Sequence, residues 1–147
     1  MEEIVGVFPS ALRPLCRAGF ARGLEPEEIR LRIGRPVMVL GKGREYFWNL
    51  KEMAWQAARE GAYIWQEADM KETLSRMSRY SMYALEEEMR NGFFTIQGGH
   101  RIGIAGRTVC EQGKILSFRN ISCLNIRVAR QKKGCAAKLL PWLSDGD

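Results

Sequence analysis

The chain has 147 residues, 46% of them hydrophobic and 27% charged, with a formal net charge of +6. That make-up suits one domain with a core of its own. No apolar run nears the ~20 residues that cross a bilayer, and the acidic opening "MEEIVGVFPS" lacks the basic-then-apolar order of a signal peptide; a cytoplasmic protein is expected.

The elements follow in chain order. "FPSALRPLCRAGF" predicts a short opening helix, with Ser10 as cap, Leu12, Leu15 and Cys16 on one side and Gly19 at its end. Ile29, Leu31 and Ile33 alternate with Arg30 and Arg32, the period of a half-buried strand. Gly34–Pro36 breaks that strand. Val37–Leu40 predicts a second, and "GKG" at 41–43 turns into a third over Glu45–Trp48. Met53, Ala54 and Ala57 return to helical spacing over 51–60, and 62–65 reads as a short strand.

Asp69 and Glu72 predict an acidic helix start. Met70, Leu74 and Met77 continue it, and a second helical piece ends at Asn91–Gly92. Glu86–Glu88 reads as a solvated helix face, since successive helical residues point about 100° apart. From Phe93 onward the pattern is strand: 93–97, 100–110, "KILSF" at 114–118, an irregular "RNIS" at 119–122, and "CLNIRVAR" at 123–130. A last helix is expected over 134–143. Helices segregated from an antiparallel meander predict an α+β fold. The expected organisation is a single domain over 1–147. Its parts are an opening helix and linker (1–26), strands with an inserted helix (27–65), helices (67–92), an antiparallel sheet (93–130) and a terminal helix (134–143).

Charge is unevenly placed. Residues 1–90 balance, whereas 91–138 carry nine Lys and Arg against Glu111 alone. Such a region suits an anionic partner. Cys16, Cys110, Cys123 and Cys135 are scattered and the only histidine is His100, so no metal site is expected.

"TIQGGHRIGIAGRT" at 95–108 carries Gly98, Gly99, Gly103 and Gly106. A phosphate-binding P-loop needs glycine five residues before Gly106 and a helix after it. Arg101 stands there instead, and strand follows. A dinucleotide fingerprint fails on the same grounds. Gly103–Gly106 spells the G-x-x-G of some RNA-binding loops, but inside a strand pattern. A hairpin fits: Gly98–Gly99 supply the positive φ angles of a tight turn, and Gly103 and Gly106 mark a bulge, a bend or a close approach. With Ile102, Ile104, Leu124, Ile126 and Val128 facing inward, Arg101, Arg107 and Arg127 fall on the opposite face, where guanidiniums suit phosphates or carboxylates. His100 has no nucleophile or acid partner in sequence, so no catalysis is expected of this chain.

The stretches "IRLRIGRPV", "YSMYALEEEMRNGFFTIQGGHRIGIAGRTV" and "FRNISCLNIRVAR…GCAAKLLPWL" resemble the stage III sporulation protein AA family, from about Glu27 to Leu143. That resemblance implies likeness to the ATPases of type II, type IV and pilus machines, with an N-terminal domain ahead of a RecA-like motor. It implies ATP and magnesium in the longer protein and none in this stretch, because Walker motifs are absent here. It also implies a ring of subunits in the mother cell, on the cytoplasmic side of a channel to the forespore. Partners would be the motor domain, neighbouring subunits and membrane-embedded channel proteins. On this reading the chain is a regulatory and assembly domain that offers Arg101, Arg107, Arg119 and Arg127 to bound nucleotide. Arg130, Lys132 and Lys133 are candidates for docking an acidic partner. A nucleic-acid-binding sheet face is the alternative, weakened by Phe118 being the only aromatic in 95–138.

Overall fold

The computed structural model describes residues 1–78, 87–88, 90, 92–106 and 121–130. Its centre is one antiparallel sheet of seven strands: β1 (Glu28–Arg32), β2 (Met38–Gly41), β3 (Arg44–Asn49), β4 (Ala54–Gln56), β5 (Phe93–Thr95), β6 (Arg101–Gly106) and β7 (Ile121–Arg127). The spatial order is β4-β3-β2-β1-β7-β6-β5. Two runs of neighbouring strands, one from each half of the chain, meet where β1 pairs with β7, with Ile29 opposite Ile126 and Leu31 opposite Leu124. The fold is α+β.

Helices α1 (Glu2–Val5), α2 (Arg13–Ala21) and α3 (Glu67–Met77) supply the apolar side chains that meet one face of this sheet. Ile4, Phe8, Leu15, Met70 and Leu74 join Ile29, Leu31, Val39, Trp48, Ile102, Leu124 and Ile126 in one buried cluster. Burial alternates along β1 and β2, as the period of two requires, and register carries the two faces across the sheet. The other face therefore receives Arg30, Arg32, Met38, Phe47, Arg101, Asn125 and Arg127.

The structure departs from the expected elements at six places. The opening helix does not stop at Gly19; α2 runs on to Ala21. Gly19 is buried within it, so close to Trp55 that a Cβ would lie 2.2 Å from the ring. Ser10 does not cap the helix and instead accepts from the Arg76 guanidinium at 3.1 Å. Residues 51–60 are not a helix. They turn through Met53 at φ 49° into β4, where Trp55 pairs across the ladder with Trp48, their ring centroids 6.3 Å apart. Residues 62–65 contribute only the Pro36–Ile64 bridge.

At α3 the cap residue is Gln66, not Asp69. The Asp69 carboxylate accepts the Gln66 backbone N–H at 3.0 Å, one arm of a capping box. Finally, Ile121 and Ser122 belong to β7, not to an irregular stretch. The helix expected to end at Asn91, the strand at 114–118 and the helix at 134–143 fall largely or wholly outside the described residues. Among the described residues no helix is long and apolar enough to cross a membrane.

Candidate functional site

Two glycines open the 95–108 hairpin: Gly98 has φ 95° and Gly99 φ 80°. The loop is one residue longer than a two-residue primed turn. Gly99 N–H donates to the Ile96 carbonyl at 3.1 Å, and Ile96 N–H donates to the His100 carbonyl at 2.9 Å. Gln97, Gly98 and Gly99 thus form the loop. The irregularity expected near Gly103 or Gly106 lies between Ala105 and Gly106. Gly103 sits in regular register opposite Asn125 and Phe93.

His100 is a structural residue. It is 4% exposed, and its Nδ1 accepts the Ala129 N–H at 3.0 Å, tying the hairpin to the end of β7. That bond requires the neutral ring. Burial holds its pKa below the ordinary imidazole value, the Met1 ammonium adds to the shift, and Glu3 partly offsets it.

The outer face carries the charge. Arg101 on β6 stands directly opposite Arg127 on β7, and Arg127 stands opposite Glu28 on β1. Glu28 does not neutralise Arg127 directly; its carboxylate bonds the Arg30 Nε at 3.3 Å. Both Arg101 and Arg127 are exposed. Arg101 lies over the Phe93 ring, 4.7 Å from its centroid, and Phe93 is itself 42% exposed. Opposed like charges on neighbouring strands are unfavourable. The arrangement is therefore receptive to an anion.

Of the sequence candidates, Arg101 and Arg127 come together. Arg107, Arg119, Lys132 and Lys133 lie outside the described residues. The Arg130 guanidinium donates to the Glu25 carbonyl and lies 3.8 Å and 3.7 Å from the Glu25 and Glu27 carboxylates. Arg130 is thus engaged within the chain.

Four further arginines come together in space. Arg30, Arg32, Arg35 and Arg59 line a recess on the same face, together with Pro36, Met38 and Phe47. The signal available was the Arg-x-Arg alternation at 30–32, which puts both side chains on one pleat face. Among the described residues no group of three or more His, Cys, Asp and Glu side chains could hold a metal.

A family model for sporulation stage III, protein AA, matches residues 1–146. The chain belongs to that family. Stage III sporulation protein AA of Bacillus subtilis (strain 168) is 41% identical over 144 residues, which is 97% of this chain and 43% of that protein. The chain thus spans less than half the length of this curated relative. Among solved structures, the VirB11 ATPase of the Brucella suis type IV secretion system, crystallised with sulphate, aligns over 90% of this chain and 35% of its own. Its identity is 16% and its TM-score 0.40.

Proposed function

We propose that this chain is the regulatory and assembly domain of a sporulation ATPase, non-catalytic in itself, which lends arginines to nucleotide held by a motor elsewhere in the longer protein. The observation that carries the reading is the Arg101–Arg127 pair: two exposed guanidiniums placed in register on one sheet face. A phosphate between them would turn their repulsion into two charge-assisted contacts. In phosphoryl transfer such contacts offset charge gathering on the transferred group. The residues present fit the outer side of a phosphate and no more, since the chain has no P-loop. ATP and magnesium belong, on this reading, to the remainder of the protein. A ring of subunits, the mother-cell location and contact with channel proteins are parts of the same proposal. The docking role falls to Lys132 and Lys133, because Arg130 is engaged by Glu25 and Glu27.

The test is ATP turnover by the full-length protein carrying Arg101→Ala, Arg107→Ala, Arg119→Ala or Arg127→Ala. Reduced kcat in Arg101→Ala and Arg127→Ala is expected. Wild-type rates in all four variants would end the arginine-donor reading.

One observation favours a second reading. Phe93 offers an exposed ring beside Arg101, a stacking surface that the 95–138 window does not include. Single-stranded nucleic acid on this face would bind with a steep salt dependence and weaken on Phe93→Ala. Absence of binding at low salt removes it.

A further inference from the structure

The recess bounded by Arg30, Arg32, Arg35 and Arg59 is built, not incidental. Arg30 and Arg32 share the outer face of β1. Arg35 N–H then donates to the Arg32 carbonyl at 3.0 Å, with Gly34 at φ 78°, so the chain reverses and sets Arg35 beside the other two. That reversal is clamped from outside. Gly34 N–H donates to the Trp65 carbonyl, Trp65 N–H to the Arg35 carbonyl and Val37 N–H to the Tyr63 carbonyl, at 2.9, 2.9 and 3.1 Å.

Arg59 arrives from the loop after β4, and that loop is also fixed. The Gln56 amide donates to the Ala58 and Glu60 carbonyls at 2.8 and 2.6 Å, and Asn49 donates to Gln56 Oε1 at 2.8 Å. The Arg59 guanidinium then lies 5.3 Å from the Phe47 ring centroid. Phe47 is 2% exposed although it points away from the main core.

Four arginines therefore line a recess of about 220 Å³, together with Pro36, Met38 and Phe47. Only Arg30 has a carboxylate partner among the described residues. Arg32, Arg35 and Arg59 have none among those residues, so the recess carries an excess of positive charge there. We propose that this recess binds a phosphate-bearing small molecule, of about the size and charge of pyrophosphate, as a site separate from Arg101 and Arg127.

Three physical points favour that ligand. A carboxylate brings one negative charge, whereas a phosphoryl group brings up to two and three acceptor oxygens, which suits several planar forks at once. The volume equals the share of roughly seven water molecules, enough for one compact head group. The buried Phe47 ring is covered and offers no face on which a base could stack, unlike Phe93. The recess adjoins the other pair on one side, because Arg30 and Arg32 lie on β1, next to β7. Its far side, at Phe47 on β3, lies four strand spacings from β6, about 19 Å.

The test is calorimetric titration of the 147-residue chain with pyrophosphate, against sodium chloride at matched ionic strength. A thermal-shift series supplies a second readout, since a ligand of the folded state raises Tm. Saturable binding is expected, weakened at least tenfold by Arg35→Ala combined with Arg59→Ala and left unchanged by Lys51→Ala, an exposed residue of neither site. Arg59→Lys, which keeps the charge and loses the planar fork, is expected to weaken binding as well. Circular dichroism verifies that each variant remains folded. Co-sedimentation with phosphatidic-acid vesicles that needs Arg35 and Arg59 would assign the phosphate to a lipid headgroup; its absence would assign it to a soluble molecule. No saturable binding overturns the proposal, as does undiminished binding by the double variant or equal loss in Lys51→Ala. Displacement of pyrophosphate by a single-stranded oligonucleotide would overturn the small-molecule occupant.

Discussion

Arg101 and Arg127 stand opposite each other across β6 and β7, and neither has a carboxylate partner among the described residues. The pair is a local cost carried by the fold. Arg101→Glu converts it to an opposite-charge pair and is expected to raise stability by up to about 1 kcal/mol at low ionic strength. Thermal unfolding at low and at high salt checks this. The gain should shrink as salt screens the pair, and a variant no more stable than the parent at low salt would show that the repulsion is already relieved.

Gly19 and Gly103 are expected to respond in opposite ways to alanine. A Cβ at Gly19 would stand 2.2 Å from the Trp55 ring. That ring is fixed by its indole N–H, which donates to the Leu15 carbonyl at 2.9 Å. Gly19→Ala should cost about 1–3 kcal/mol, or more if the ring cannot move. A Cβ at Gly103 meets nothing nearer than Asn125 at 3.9 Å. Gly103→Ala should be neutral or slightly stabilising, because strand glycine is entropically costly. Urea midpoints of the two variants give the comparison.

His100 gives the domain a pH dependence of defined sign. Its folded pKa is depressed, so the unfolded chain binds its proton more readily. Stability from this group is fully present above the unfolded value near ~6.5 and is lost as pH falls below it. The charged groups at the ring are the Met1 ammonium and Glu3, which pair with each other at 2.8 Å. The urea midpoint should fall between pH 7 and 5.5, and His100→Asn should flatten that fall. Glu2 and Glu3, whose pKa values are lowered by Arg17 and by the Met1 ammonium respectively, act only further into acid.

Asp69 holds two partners, the Gln66 N–H and the Tyr63 hydroxyl, the latter at 2.5 Å. Asp69→Ala should lower stability by about 1–2 kcal/mol, the range for a lost helix cap. Tyr63→Phe should cost less in that background than in the parent, since the shared partner is already gone. Chemical unfolding of the four-member cycle measures the coupling.

Much of this architecture is legible in local pattern. The alternation through Ile29 and Leu31 marks β1, and Met70, Leu74 and Met77 mark α3. The paired glycines at 98–99 mark the hairpin. What escapes is set by distant partners. Spacing alone makes 51–60 helical, but Trp55 packs on Trp48 and against Gly19, and that burial outweighs local preference. Arg101 and Arg127 were readable as one face from period two. Arg30, Arg32, Arg35 and Arg59 were hidden because residues 1–90 sum to no net charge. The acids are interleaved along the chain, while the pleat and two turns gather these arginines in space. Arg130 looked free because Glu25 and Glu27 lie about a hundred residues earlier.

The β1–β7 seam also sets an order of events. During synthesis β1, β2, β3 and β4 can pair as soon as residue 56 is available, because each neighbour follows closely. One edge of β1 must then wait for residues 121–127. Until they arrive, Ile29 and Leu31 sit on an open strand edge, the kind that recruits other chains. The contacts that end this exposure have a large sequence separation, which makes their formation slow. The nascent chain is thus most open to mispairing over the stretch of translation between β4 and β7, and a holding chaperone would matter most in that interval.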